Sequence, residues 1–214
     1  MRHQWNPRAA GPVRIKICGL KTAGDVESAV EAGADAIGLV LAEGSPRTVS
    51  TEQAAALAAC AGERLATIAL MVNPAPAQLE ARPAAWLQLH GSESESLVAQ
   101  AALMGPVIKA VPHRDIEAIT FWDADPNVQL LLIDSPRGGS GQPFDHAALA
   151  PLAASLRTPW ILAGGLTPET VGAAIQTLRP WGVDVSSGVE SSRGVKDAAR
   201  MRAFCEAVHA ASPH

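Results

Sequence analysis

Arg14-Ile15-Lys16-Ile17-Cys18, closed by Gly19, leads through Thr22 and Asp25 to a second aliphatic run, Ala36-Ile37-Gly38-Leu39-Val40-Leu41. A short β-branched run, a helix start of the capping-box type and another aliphatic run make a strand–helix–strand unit. The alternation then continues to the end of the chain. Strands are expected at Arg14–Cys18, Ala36–Leu41, Ala66–Val72, Ala85–Leu89, Val107–Val111, Gln129–Ile133, Trp160–Ala163 and Val183–Ser186. These runs are apolar on both faces, which suits parallel strands covered by helices. Between them lie Ala-rich stretches with further helix starts: Ser50 with Gln53, Ser92 with Glu95, and Pro168 behind Thr167. Around Pro74 to Arg82 the helix signal is short and weak.

Eight strands alternating with about eight helices in ~200 residues is the arithmetic of an α/β single-domain (β/α)8 TIM barrel. An open doubly wound sheet would alternate in the same way. The strand count, and the lack of an early GxGxxG phosphate fingerprint, favour the barrel. Residues 1–12 are polar, contain Pro7 and Pro12, and read as a flexible N-terminal extension. Residues 13–214 read as the barrel domain.

The bulk numbers exclude several function classes. The chain has 214 residues, 48% apolar and 18% charged, with a net charge of -4 and no basic block. That is an ordinary globular composition without the electrostatic footprint of nucleic-acid binding. No apolar run is long enough for a membrane span, and Met1 to Pro12 lacks the apolar core of a secretory signal. Cys18, Cys60 and Cys205 are odd in number and far apart, which fits neither a zinc site nor a disulfide framework. The expectation is a cytoplasmic protein with no metal, no cofactor, and no nucleic-acid or membrane partner.

In a barrel of this kind chemistry sits at the C-terminal ends of the strands. Polar or glycine-containing endings fall there at Cys18-Gly19, Ser45-Pro46-Arg47, Asn73-Pro74, His90-Gly91, Asp134, Gly164-Gly165 and Ser186-Ser187-Gly188. Gly164, Gly165, Ser186, Ser187 and Gly188 occupy the places where barrels commonly bind phosphate, and Gly138-Gly139-Ser140-Gly141 has the composition of a further anion nest. Each glycine pair alone reads equally as a tight turn; together they favour a phosphorylated small molecule.

Alternation on the first strand sends Ile15 and Ile17 towards helices and Lys16 and Cys18 into the barrel. By the same argument Asp184 and Ser186 point inward on the last strand, which closes against the first. Lys16 and Asp184 are therefore expected to pair, structurally in the first instance. A lone Cys18 is by default a core cysteine, but its place beside Lys16 at a strand end also suits a thiolate base. Asp134 ends the apolar run Leu130-Leu131-Leu132-Ile133, where a carboxyl tends to keep its proton and can act as an acid. His90 is the only His at a strand end, too few for a metal site built on several His ligands.

These features together resemble the phosphoribosylanthranilate isomerase family of tryptophan biosynthesis, over nearly the whole chain from Lys16 to about Val208. The resemblance rests on Lys16-Ile17-Cys18-Gly19-Leu20, Ala32 to Gly38, Ser45-Pro46-Arg47, Val72-Asn73-Pro74, Gln88-Leu89-His90-Gly91, Gly138 to Gly141, Ala163 to Leu166 and Gly182 to Glu190. It implies a (β/α)8 barrel and an Amadori rearrangement of N-(5'-phosphoribosyl)anthranilate without metal or organic cofactor. It also implies Cys18 as general base, Asp134 as general acid and Arg47 as binder of the anthranilate carboxylate. Gln88, His90 and Asp184 follow as further substrate contacts, and a monomer or homodimer as the assembly. Leu39 and Leu41 stand where the family often has aromatic residues, and His146 where it often has Trp.

Three rivals remain. The aminoimidazole isomerase of histidine biosynthesis resembles a barrel with two catalytic Asp and a half-barrel repeat, whereas this chain has Cys18 and no repeat. A metal-dependent sugar-phosphate epimerase would be expected to show several His and acidic ligands. A catalytically inactive barrel that only binds a phosphometabolite would have no reason to combine Cys18, Asp134 and Arg47.

Overall fold

The computed structural model describes residues 5–9, 11–134 and 146–212. Eight parallel strands close into a barrel in chain order: β1 (Arg14–Cys18), β2 (Ala36–Val40), β3 (Ala66–Met71), β4 (Trp86–Leu89), β5 (Val107–Pro112), β6 (Leu130–Asp134), β7 (Trp160–Ala163) and β8 (Gly182–Val185). Each lies within one residue of its expected ends. The connections carry α1 (Ala23–Ala32), α2 (Thr51–Ala61), α3 (Pro76–Glu80), α4 (Glu95–Met104), α5 (Ile116–Asp123), α6 (His146–Ala153) and α7 (Val171–Leu178), with α8 (Ala198–Ala211) last. The expected Gly138, Gly139, Ser140 and Gly141 nest lies outside the described residues.

Strand parity produces two apolar layers. Ile15, Ile17, Leu87, Leu131 and Val183 pack outward among the helices, while Ala36, Ile68, Ile108, Leu130 and Ile161 fill the barrel itself. On β1 the inward position falls on Lys16, which is completely buried. The β1–β8 register sets Lys16 opposite Asp184, with Nζ 2.8 Å from Oδ1. Burial alone would lower the Lys16 pKa; the charge and hydrogen bond of Asp184, helped by Cys18, outweigh it and hold the ammonium above its ordinary value. The expected pair is formed at the barrel seam.

The extension does not fray at Trp5. Its indole is buried, with ring centroids 4.9 Å from Trp181 and 6.4 Å from Trp86 in edge-on contacts. Trp86 begins β4 and Trp181 precedes β8, so the three indoles cover the end of the barrel opposite the candidate site. An aromatic ring of this size gains enough by burial to offset the entropy of ordering a few polar neighbours.

Local signals held at two helix starts and moved at two others. Thr22 with Asp25 and Ser50 with Gln53 form complete capping boxes. The cap of α4 is Ser94 rather than Ser92, because Glu93 is drawn inward to the buried Lys109 (Nζ to Oε2 2.8 Å) while Ser92 N donates to Asn73 Oδ1. At α7 the residues from Thr167 to Thr170 make a preceding turn, and the helix starts at Val171 rather than behind Thr167 at Pro168. After β8 a short 3-10 turn (Ser187–Val189) leads into a small hairpin of β9 (Glu190–Ser192) and β10 (Val195–Lys196).

The seam pair generates a stability prediction. Lys16→Met strands Asp184 as a buried unpaired charge and should cost about 3–5 kcal/mol, whereas the double change with Asp184→Leu should cost less than the single one. Urea unfolding of the four proteins in this cycle checks it; strictly additive losses would show that the two side chains do not support each other.

Candidate active site

The C-terminal ends of the strands surround a cavity of about 530 Å³, a volume in the range of small-molecule sites. Cys18 enters it from the end of β1. Its thiol has room only because β2 carries Gly38: a Cβ there would sit 2.6 Å from Sγ and 3.1 Å from Lys16 Nζ. Burial pushes the Cys18 thiol above its ordinary pKa; Lys16 pulls it down, Asp184 pushes it up again, and Lys196 pulls it down. The resting group is therefore a thiol rather than a preformed thiolate, held among cations.

Asp134, at the end of β6, also lines the cavity. It belongs to a short chain of polar groups reaching back into the barrel. Gln88 Nε2 donates to His90 Nδ1 at 2.9 Å, and His90 Nε2 lies 3.3 Å from Asp134 Oδ2. With Nδ1 accepting, a neutral ring carries its proton on Nε2 and donates it to Asp134. Beneath this chain Glu93 accepts from Asn73 N at 3.0 Å, from Gly91 N at 2.8 Å and from Lys109 Nζ. Burial would raise the Glu93 carboxyl, but these donors, Lys109 first, bring it below the ordinary range. The loops after β3 and β4 are thereby tied to β5, and His90 is fixed at the rim.

Arg47 follows β2 and is buried against the cavity wall. Its Nε and Nη2 donate to Glu190 Oε1 and Oε2 at 2.6 and 2.8 Å, a bidentate contact along one edge of the guanidinium. Glu190 also accepts from Gly194 N at 3.0 Å and Lys196 Nζ at 3.0 Å. Burial alone would raise the Glu190 carboxyl; the Arg47 hydrogen bond leads the effects that bring it down to about 2. Lys196 Nζ further donates to Ser186 O at 2.9 Å, and Ser186 Oγ donates to Cys18 O at 3.0 Å.

Gly164 and Gly165 have φ of 90° and 65°, left-handed backbone that a side chain would strain, and both line the cavity with Ser186 and Ser187. Of the residues expected from sequence, Cys18, Arg47, His90, Asp134, Asp184, Gly164, Gly165, Ser186 and Ser187 share this one cavity. Gln88 is fully buried behind His90, and Gly188 packs against the Leu166 carbonyl, so neither is among its lining residues. Sequence reasoning missed Glu190, Lys196 and Gly38 as well as Arg193, an exposed side chain at the cavity wall. Among the described residues no group of three or more His, Cys, Asp or Glu is placed to hold a metal ion, and no helix is long and apolar enough to cross a membrane.

The family model for N-(5'-phosphoribosyl)anthranilate isomerase matches residues 15–207. The chain belongs to this family. It is 43% identical to the N-(5'-phosphoribosyl)anthranilate isomerase of Methylibium petroleiphilum over 92% of this chain and 94% of that one. It superposes with a TM-score of 0.81 on a phosphoribosyl anthranilate isomerase solved with reduced 1-(o-carboxyphenylamino)-1-deoxyribulose 5-phosphate, at 33% identity, covering 92% of this chain and 98% of the other. Monomers generated from the dimeric enzyme of Thermotoga maritima give 0.79 at 32% identity, with coverage of 92% and 98%.

For this phosphoribosylanthranilate isomerase family member, Glu190 gives the site an acid-sensitive brace. A carboxyl held at about 2 against an ordinary 4.5 adds stability that is present above about pH 4.5 and lost as pH falls towards 2. Glu190→Gln should therefore melt below the wild type at neutral pH, and the gap should narrow on acidification through that window. Scanning calorimetry against pH checks it; a gap that stays constant would show that the Glu190 charge does not hold the brace.

Proposed function

We propose that this chain catalyses the Amadori rearrangement of N-(5'-phosphoribosyl)anthranilate to 1-(2-carboxyphenylamino)-1-deoxyribulose 5-phosphate, the aldose–ketose isomerisation of tryptophan biosynthesis. The carrying observation is that a thiol and a carboxyl, Cys18 and Asp134, line one cavity together with Arg47 and two glycine- or serine-containing strand endings. The match to the isomerase family over residues 15–207 supports the same reading.

Asp134 acts as general acid and protonates the ribose ring oxygen, which opens the ring to a Schiff base. His90 Nε2 engages Oδ2 of Asp134 at 3.3 Å, which leaves Oδ1 as the oxygen for the proton transfer. Cys18, once deprotonated, removes the proton from C2'. The resulting enolamine takes a proton at C1' from the Cys18 thiol while its C2' hydroxyl gives its proton to the Asp134 carboxylate and becomes the ketone. No metal or organic cofactor enters these steps. Because burial keeps the thiol high, activity rises with pH through a thiol pKa above the ordinary one.

Arg47 keeps one edge on Glu190 and turns the other, between Nη1 and Nη2, to the anthranilate carboxylate; a guanidinium has donors enough for two such forks. Asp184 and His90 line the same space, and Gln88 acts through His90 rather than by touching substrate. The phosphate lies against Gly164, Gly165, Ser186 and Ser187, with Gly188 allowing the two loops to pack closely. Gly138, Gly139, Ser140 and Gly141 would complete this cradle. The catalytic unit is residues 13–214, in a cytoplasmic enzyme that works as a monomer or homodimer on a small phosphorylated molecule, without nucleic-acid or membrane partners.

Positioned acids and bases contribute about 10²–10⁴-fold each, so Cys18→Ala and Asp134→Asn should each lower kcat by that order in a turnover assay with freshly made substrate. Cys18→Ser should not rescue, since a hydroxyl is too weak an acid to supply the base near neutral pH. Near-wild-type turnover in Cys18→Ala would sink the mechanism. Arg47→Ala should raise KM more than it lowers kcat, and Arg47→Lys should restore only part of the loss because an ammonium has no fork. A fall in kcat at constant KM would instead move Arg47 into the chemical step.

A further inference from the structure

Arg47, Glu190, Lys196, Ser186 and Cys18 form one continuous chain of contacts. Arg47 grips Glu190, Lys196 Nζ reaches both Glu190 Oε1 and Ser186 O, and Ser186 Oγ bonds the Cys18 carbonyl. The side chains of Glu190 and Lys196 are buried, at 4% and 1% exposure. Such burial is costly for two ions and is sustained here by complete pairing. Neither residue is among those lining the cavity, yet together they link the proposed carboxylate contact, the proposed phosphate turn and the proposed base.

The charge count explains why two cations share one carboxylate. Arg47 neutralised by Glu190 alone would present no net charge to an incoming anthranilate carboxylate. Lys196 leaves the trio at +1, so Arg47 stays attractive to an anion while Glu190 fixes its plane. Resting on the functional reading above, we propose that Glu190 and Lys196 are positioning residues of the isomerisation: Glu190 aims the free edge of Arg47 at the substrate carboxylate, and Lys196 pins the Ser186 turn that bonds the Cys18 carbonyl and adds a positive charge behind it.

The charged groups acting on Cys18 are Lys16 on its own strand, Asp184 on β8, Lys196 on β10 and Arg47 after β2. Lys16 is the strongest charge lowering the thiol and Asp184 offsets only part of it, while Arg47 is matched by Glu190. Lys196 adds a further cation, tied to the Ser186 turn that bonds the Cys18 carbonyl. Consistent with this, its charge acts to lower the Cys18 thiol against the push of burial.

The test uses the full-length chain and its Lys196→Gln, Lys196→Met, Lys196→Arg, Glu190→Gln and Cys18→Ala variants. Two readouts are followed against pH: iodoacetamide labelling of Cys18, located by peptide mass spectrometry, and kcat/KM. Lys196→Gln keeps a donor for Ser186 O and Lys196→Met keeps the aliphatic bulk, so either one, if folded, decides the outcome. Removing the charge should slow Cys18 labelling at neutral pH by on the order of tenfold and move the rising limb of both profiles to higher pH. Lys196→Arg should restore both. Glu190→Gln should raise KM more than it lowers kcat. A folded, charge-removed variant with unshifted labelling, or Glu190→Gln with unchanged KM, overturns the inference while a dead Cys18→Ala leaves the functional reading intact. Wild-type turnover in Cys18→Ala overturns both.

Discussion

A lysine ammonium enclosed in a barrel of aliphatic side chains is tolerable only with an anion in contact, and at the β1–β8 seam that anion is Asp184. Their 2.8 Å contact joins the first and last strands at the point where the barrel closes. Buried ion pairs rarely exceed well-packed hydrophobic groups as a source of stability. The value of this pair lies in its position, one inward step below Cys18. It sets charges of both signs directly beneath the thiol, and Gly38 on the neighbouring strand leaves room for the sulfur and the ammonium together. The seam and the reactive end of the barrel are thus one construction.

The electrostatics above that pair are a contest rather than a simple attraction. Burial resists ionisation of Cys18, Lys16 opposes it, and Asp184 partly undoes what Lys16 does. The outcome is a thiol held above its ordinary value, with Lys16 the strongest cation against burial and Lys196 a further one. This is a different solution from a surface cysteine at a helix terminus, where exposure and a positive field produce a standing thiolate. A buried thiol exposes little nucleophile when no substrate is present, at the cost of a smaller ionised fraction.

The fold was legible wherever a feature repeats with the period of its element. Parity on β1 placed Lys16 and Cys18 inward and Ile15 and Ile17 outward, and the same parity on β8 found Asp184. Strand ends similarly identified Asp134, His90 and the Gly164-Gly165 turn as neighbours around one cavity. Contacts made by residues outside the barrel strands had no such signal. Glu190 meets Arg47 across 143 positions, and the hairpin that presents it has strands of three and two residues, too short for an alternating pattern. Ser92 misled because a local capping pattern competed with a tertiary demand: Glu93 is needed inside to meet Lys109. Trp5 was hidden for a related reason, since one aromatic residue in a polar, proline-containing stretch has no periodicity, yet has surface enough to bind a preformed apolar floor.

Apart from Arg193, the ions missed from sequence share a physical character. Each is buried, fully engaged, and set one contact behind a group that reaches the cavity: Glu93 behind the His90 loop, Glu190 behind Arg47, Lys196 behind Ser186. A flexible side chain at a cavity wall samples many rotamers, and substrate binding must then supply the entropy of fixing it. Bidentate contact with Glu190 removes much of that freedom from Arg47 before any ligand arrives. The same logic applies to His90, whose ring is set by Gln88 from below and whose Nε2 faces Asp134. Desolvating the supporting ions is therefore a cost borne in folding, and it leaves the groups at the cavity wall with little left to reorganise.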